Sequence, residues 1–439
     1  MFGIRGALTA VLVSSACLPA VAPAQMEYDR EPIRYSTSTA DDAISRLQSK
    51  LRKGEVELEF DESGSGWLAS ILRELRVPES SQTLVFSKTS FQHTRIAPRT
   101  PRAIYFNDDV YVGFVKHGDV LEFAAVDPKL GATFYILDQQ PDKRPRFLRQ
   151  TETCLQCHAS SRTRDVPGHL IRSVFPDRSG LPVYNAGSFT TDHESPFSER
   201  WGGWYVTGTH GAQRHMGNAI VEDRDHPEGF DREAGANRVD LEGLVDTSPY
   251  RTRHSDLVAL LVLEHQTQMH NLITHAGYQG RMARTYDEGL NKAFGRPLDV
   301  VSESSERRIQ SAAEKVVAYM LFSGEPKLAE PVSGTSGFAR DYSAQGPSDR
   351  RGRSLRELDL KTRLLRYPCS PLIYSDAFEG LPDPVKSRIY TRLHEILTGK
   401  DRSPAFEHLS DEDRRAILEI LLETKSTLPA EWSALSARR

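Results

Sequence analysis

Two cysteines and a histidine occur together in the stretch TCLQCH at 153–158, which contains the pattern C-x-x-C-H. Two thiols three positions apart on one turn can form thioether bonds to the two vinyl groups of a haem. The adjacent histidine is then carried beneath the ring, where its imidazole can ligate the iron. The pattern therefore predicts one covalent haem c, bound by Cys154 and Cys157, with His158 as the proximal ligand of the haem iron.

Other uses of the cysteine pair remain open. A zinc site would need a second Cys/His pair at ligand spacing, and the sequence offers none. A thioredoxin-type redox pair usually lies at a strand-to-helix step and has no need of the histidine that follows. A structural or redox pair of thiols is therefore the alternative to haem.

The first 24 residues have the pattern of a secretory signal peptide, with Arg5, an apolar stretch and small residues that end at Ala24. We expect an exported protein, periplasmic or secreted, and export favours haem c because c-type attachment takes place outside the cytoplasm. Cys17 allows a lipoprotein anchor instead, but the leucine expected three positions earlier is absent.

Composition and missing motifs exclude several function classes. The net charge of -4 provides no basic field for nucleic acid, and four cysteines are too few for a disulfide framework. After residue 25 no apolar run reaches the length of a transmembrane helix. Hydrolase, NTPase, zincin and dinucleotide-binding motifs are absent, and so is a second C-x-x-C-H, which argues against a dihaem peroxidase and multihaem wires.

A sixth iron ligand would come from elsewhere in the chain. His210 is our first candidate and His215 our second, because both flank a glycine-rich turn after a predicted strand, and a strand end presents a ligand rigidly. His265 and Met269 lie four positions apart on an apolar helix and so share a face.

Other residues near the motif have two interpretations each. Basic residues lie on both sides of the motif: Lys143, Arg144, Arg146, Arg149, Arg162 and Arg164. This basic run could pair with haem propionates, bind an acidic redox partner or form a solvated face. Trp201, Trp204 and Tyr205 could line a haem edge, but ordinary core is favoured. Cys369, left without a partner, is expected to be a buried inert thiol.

The elements that must position these residues predict an α+β protein. Runs of β-branched and aromatic residues at 103–106, 110–115, 120–126 and 132–137, separated by turn residues, indicate an antiparallel meander. The strictly alternating run at 55–60 predicts a half-buried strand, and 170–175, 181–184 and 203–209 are further candidate strands. We predict a signal peptide at 1–24, an N-terminal helical and strand segment at 25–80 and an antiparallel β-rich haem c domain at 81–250. A helical region at 251–333, a linker at 334–352 and a C-terminal helical region at 353–439 are predicted to follow.

With this motif and leader the chain resembles the c-type cytochromes. The resemblance implies covalent haem c through Cys154 and Cys157, proximal ligation by His158, and electron transfer with a periplasmic redox partner. It covers only the motif and the export signal. Small class I cytochromes are helical and supply a methionine downstream; Met216 lies at such a distance, but strands are predicted in between. A looser similarity is to periplasmic sensor-like domains with haem c on a mixed α/β scaffold.

The first hypothesis for function is therefore an exported monohaem electron carrier that requires haem-attachment machinery. The alternative enzyme is a haem-dependent oxidoreductase, a peroxidase or oxygenase with an open distal site. The third hypothesis is a haem-based sensor module.

Overall fold

A computed structural model describes residues 26–141, 144–430 and 432, so the predicted signal peptide, Cys17 and Lys143 lie outside the described residues. Its centre is a seven-stranded antiparallel sheet with the order β6-β5-β4-β3-β2-β1-β9. Two small two-stranded sheets pair β7 with β8 and β10 with β11. The strands are β1 Thr83–Val85, β2 Arg102–Phe106, β3 Val110–Val115, β4 Val120–Asp127, β5 Gly131–Asp138, β6 Leu148–Gln150, β7 Arg172–Val174, β8 Ser188–Thr190, β9 Trp204–Tyr205, β10 Gly208–Thr209 and β11 Ser333–Gly334.

Helices precede and follow the sheet, which confirms the predicted α+β class. They are α1 Ala43–Lys53, α2 Leu68–Glu74, α3 Leu155–His158, α4 Leu257–Ala293, α5 Glu303–Met320, α6 Phe338–Ser343, α7 Asp376–Glu379, α8 Asp383–Leu397 and α9 Asp411–Thr424. Within 26–141, 144–430 and 432, no helix combines the length and apolar character needed to cross a membrane.

One face of the sheet is fully covered. Alternate side chains of β2 to β5, among them Tyr105, Phe123 and Leu137, pack against Ile44 of α1 and Ile71 of α2 in one core. Successive side chains of a strand point to opposite faces, so this alternate set lies on a single side of the sheet. The meander forms at the predicted runs of β-branched and aromatic residues.

The second core joins the sheet to the helical regions. It includes Val85 and Tyr111 of the sheet, the first turns of α4, and side chains as far along the chain as Trp432. The N-terminal part of α4 is buried all round because it lies between the sheet, α5 and the C-terminal helices. Sheet and helices are therefore packed as one body.

The predicted linker at 334–352 differs from the structure. This segment contains α6, whose Phe338 and Tyr342 are buried in the second core. Its start is held by Asp256, which caps α4 and also accepts hydrogen bonds from the backbone nitrogens of Thr335 and Ser336. The Gly/Ser/Pro composition reflects tight turns around this carboxylate.

Two predicted strands are also wrong. Residues 55–60 form no strand, because the backbone nitrogen of Glu59 donates to the Ser70 hydroxyl instead of to a neighbouring strand. Residues 181–184 give only an isolated bridge between Pro176 and Pro182, since proline has no N–H to donate to a ladder.

Candidate functional site

The three motif residues lie at α3, which is a single turn: Cys154 is its N-cap, and Cys157 and His158 belong to the turn. The Cys154 carbonyl accepts hydrogen bonds from the backbone nitrogens of Cys157, at 3.3 Å, and His158, at 3.0 Å. Cys157 is exposed, Cys154 is half-buried, and neither forms a disulfide. Burial raises the pKa of the Cys154 thiol to about 11. The structure thus brings the predicted thiols and histidine together in the local geometry that the spacing requires.

The His158 imidazole has one nitrogen engaged and one free. Its Nδ1 lies 2.9 Å from the Gly168 carbonyl oxygen, which can only accept, so Nδ1 carries the proton and donates. Nε2 makes no hydrogen bond with any residue that the structure describes, and burial lowers the pKa of the ring. A neutral imidazole with an Nδ1–H···O=C bond and a free Nε2 lone pair is the form in which histidine ligates metals.

A loop after α3 fixes this ring. Gly168 forms two hydrogen bonds with His158, because its nitrogen also donates to the His158 carbonyl at 2.8 Å. The next residue, His169, is held at both backbone groups by the Asn271 amide of α4. Pro167 accepts a hydrogen bond from Ala132 of β5. The motif is therefore anchored to both the sheet and α4.

The motif lies over the less covered face of the sheet. The His158 ring packs on Phe134 of β5, with ring centroids 4.8 Å apart. Beside it runs a cross-strand row in which Ile104, Glu122 and Ile136 are only half-buried, although they occupy the middle of the sheet. We call this side of β2 to β5 the motif face. A solvated face of an antiparallel sheet normally carries polar side chains, so partly exposed isoleucines in its middle mark a candidate binding surface.

These residues could hold a covalent haem. Two accessible thiols and a free imidazole lone pair occur on one turn, and the motif face offers apolar surface beside them. Two charged residues of that face, Arg102 and Glu122, act on both Cys154 and His158: Glu122 raises their pKa values and Arg102 lowers them. The donor set is that of haem c attachment.

The predicted sixth ligand His210 is engaged elsewhere. Its Nδ1 lies 2.8 Å from the Gln213 carbonyl, and its Nε2 accepts a hydrogen bond of 2.9 Å from the Asn237 backbone nitrogen. His215, whose ring is 4.6 Å from that of His210, accepts a hydrogen bond from Gly217 at Nδ1. No contact in the described part of the chain joins either ring to the motif, and the geometry gives His210 no free lone pair.

The other candidates are also engaged. His265 Nδ1 lies 2.8 Å from His193 Nδ1, and its Nε2 lies 2.8 Å from the Ser370 hydroxyl. Met269 is fully buried in the second core, and the Met216 sulfur accepts a hydrogen bond from Ser173. The structure does not bring any of these residues into contact with α3 among the residues it describes.

Sequence reasoning missed a second group of imidazoles next to the motif. The His169 ring packs on Tyr111, with centroids 4.4 Å apart, and lies 5.6 Å from His270 of α4. His169 Nε2 and both ring nitrogens of His270 are buried without a hydrogen-bond partner. Nothing in the sequence distinguishes these two from the other histidines, because α4 lies over a hundred residues beyond the motif.

The basic run has mixed roles. Arg144 donates to the Leu51 carbonyl and Arg149 to the Tyr35 and Ser38 carbonyls, so both hold the N-terminal segment. Arg146 and Arg162 are exposed, whereas Arg164 is half-buried.

The aromatic residues and the last cysteine lie where they were expected. Trp201, Trp204 and Tyr205 are buried, as the core interpretation predicted. Cys369 is completely buried, which confirms the predicted burial, and this burial raises the pKa of its thiol to about 12.

Comparison with known proteins adds no assignment. No protein-family model, no curated protein and no solved structure matches the chain. Across the described ranges, no group of three or more His, Cys, Asp or Glu side chains could hold a metal ion by itself.

Proposed function

We propose that the protein is an exported monohaem c-type cytochrome, which binds one haem through Cys154 and Cys157 and transfers electrons to and from a redox partner. The observation that carries this proposal is the state of His158. Its Nδ1 donates to the Gly168 carbonyl, which leaves Nε2 free, and the same turn carries the exposed Cys157 thiol and the half-buried Cys154 thiol. A structural or redox pair of thiols would not require this orientation of the histidine.

Each residue of the site would have its own role in holding the haem. Cys154 and Cys157 would hold the porphyrin, and His158 would ligate its iron with a ring orientation set by Gly168. The motif face would cover one side of the group and restrict its contact with water. When bound, the haem supplies a one-electron couple whose potential the protein sets through ligation, burial and charge.

A second candidate function is a haem-dependent oxidoreductase with an open sixth position. The observation that favours it is that the ring nitrogens of His210 and His265 are already engaged in hydrogen bonds. If no side chain replaces them, the sixth position would admit a small exogenous ligand. Electron transfer and this alternative share the same attachment site.

Attachment is tested by maturing the protein in a host with periplasmic haem-attachment machinery. We expect the wild type to gain the mass of one haem and to keep its colour through acid–acetone extraction. The double variant Cys154→Ser/Cys157→Ser should gain none, whereas Cys369→Ser, which removes a buried cysteine in the helical region, should match the wild type. A wild-type protein without added mass, or stripped of all colour by extraction, contradicts the proposal.

Optical spectra of the haem-loaded protein then distinguish electron transfer from the oxidoreductase and from a sensor. Low-spin, six-coordinate ferric and ferrous states that do not bind carbon monoxide support electron transfer. A high-spin ferric state that turns over peroxide supports the oxidoreductase, and a stable gas complex without turnover supports a sensor.

A further inference from the structure

An ion pair on the motif face joins a residue of β2 to a residue of β4. Arg102 begins β2 and Glu122 lies in β4, and the guanidinium Nη2 is 2.7 Å from the Glu122 carboxylate across β3. The side chains are 21% and 12% exposed, so solvent screens the pair only in part. A half-buried ion pair in the middle of an otherwise apolar surface needs a reason beyond stability, because its desolvation offsets much of its attraction.

The strand between them is built to let the arginine cross. β3 has Gly113 at this point, and a Cβ there would lie 2.5 Å from Nη2 of Arg102. Glycine in a strand interior weakens the strand, so it usually marks a close approach of another group. Gly113 thus allows the guanidinium to lie flat against the motif face.

The two partners are not equally satisfied. Gln92 donates a second hydrogen bond, of 2.9 Å, to the other oxygen of Glu122. Arg102 has five N–H donors but Glu122 is its only polar partner among the described residues, and its Nε is buried without a partner. Arg102 therefore retains N–H groups that could donate hydrogen bonds to a further anion.

The pair lies close enough to act on the motif. Glu122 is paired in register with Ile136, which is two residues along β5 from Phe134, the residue on which the His158 ring packs. Arg102 and Glu122 therefore lie on the same side of the sheet as His158. Arg172, on β7, is a second cation near Cys157.

We propose that Arg102 binds a propionate carboxylate of the haem and that Arg102 and Glu122 together set its reduction potential. This inference rests on the proposed function. A guanidinium group and a carboxylate match in geometry and can form two parallel hydrogen bonds. The N–H groups of Arg102 that Glu122 does not use can donate such bonds to a propionate. Ferric haem has one more positive charge than ferrous haem, so a nearby cation raises the potential and a nearby carboxylate lowers it.

The test compares midpoint potentials of haem-loaded variants. Arg102→Gln should shift the equilibrium toward the ferric state by about tenfold, which for one electron is about 59 mV to lower potential. Its potential should also become dependent on pH near neutrality, because the propionate loses its cation. Glu122→Gln should shift the potential upward. The matched control is Arg95→Gln, which removes an arginine from an exposed pair with Asp119.

Four further outcomes are decisive. If Arg102→Gln and Glu122→Gln only reduce the unfolding free energy of the haem-free protein and leave the potential within the range of the control, the pair is structural and the proposal is overturned. If only Arg172→Gln moves the potential, the propionate binds there and the assignment to Arg102 is wrong. If Arg102→Gln does not fold, Arg102→Lys must keep the potential near the wild-type value while Glu122→Gln raises it. A wild type without covalent haem contradicts the proposed function itself and is recognised by its lack of haem absorbance.

Discussion

The protonation and hydrogen bonds of each imidazole decide what it can ligate. His158 and His210 are both donors at Nδ1 to a backbone carbonyl, and they differ only at Nε2. In His210 that nitrogen already accepts from Asn237, whereas in His158 it makes no hydrogen bond. A lone pair that is already engaged by an N–H is not available to iron without loss of that hydrogen bond.

His210→Ala is therefore expected to leave the haem spectrum unchanged. It should instead lower the free energy of unfolding by about 1–3 kcal/mol, because the Asn237 N–H and the Gln213 carbonyl lose their buried partner. Urea unfolding of the haem-loaded protein measures the stability, and the ferric and ferrous spectra report the ligands. His158→Ala is the comparison that should alter both spectra. A changed spectrum in His210→Ala would restore His210 as a ligand.

Candidate haem-binding residues could be predicted from the sequence only where they are local. Cys154, Cys157 and His158 lie on one turn, so their spacing alone indicates their chemistry. The charged residues near the motif could not be identified in this way, since Arg102 and Glu122 reach it through strand register and not through proximity in sequence. The basic run that adjoins the motif in sequence is used partly to hold the N-terminal segment.

At the scale of elements, the turn between β4 and β5 supports the motif loop. Asp127 ends β4 and its carboxylate accepts hydrogen bonds from the nitrogens of Lys129 and Leu130. Gly131 then begins β5 with φ +76°, a left-handed conformation that favours glycine. The next residue donates to the carbonyl of Pro167, which belongs to the loop that fixes His158. Turn and motif loop thus share one contact region.

Gly131→Ala should be markedly destabilising. Gly131 and Gly243 have the same φ of +76°, but a Cβ at Gly131 would overlap the Thr274 methyl of α4 and lie 2.8 Å from the Pro167 carbonyl, whereas Gly243 has no atom within 4 Å of that position. Gly243→Ala should therefore show only the conformational penalty of about 1–2 kcal/mol. The additional contacts should make Gly131→Ala worse by about 1–3 kcal/mol in chemical denaturation. Equal losses in the two variants would mean that Thr274 and the motif loop both move aside without cost.

Strands and helices could be predicted where a local sequence pattern determines them. The runs that form β2 to β5 are rich in β-branched and aromatic residues and have turn residues between them, so both their existence and their order follow from local sequence. The alternating run at 55–60 lacks a partner strand, and pairing is a property of the whole fold. In 334–352 the composition suggested a loop, but a carboxylate more than seventy residues away organises it.

For the whole molecule, one packed body places titratable groups in surroundings that no local pattern reveals. His215 lies near the sheet edge and Glu325 after α5, and both are shielded from water. Burial disfavours the charged form of each group, so it acts in opposite directions on a base and on an acid. It lowers the pKa of His215 to about 3 and raises that of Glu325 to about 7.

These shifts predict opposite effects of pH on stability for two variants. Between pH 6.5 and about 3, unfolding exposes His215 and binds a proton that the folded protein excludes, so stability falls as the solution becomes more acidic. His215→Asn, whose amide oxygen can still accept from Gly217, should reduce this dependence by about 1.4 kcal/mol per pH unit. Glu325 keeps its proton in the folded state up to about pH 7, whereas the unfolded chain loses it from about pH 4.5, so stability falls as pH rises between these two values, and Glu325→Gln should remove this loss. Urea unfolding of wild type and variants at pH 5, 6, 7 and 8 measures both slopes. Parallel curves for wild type and His215→Asn would show that the folded protein also binds this proton, and that water reaches the ring.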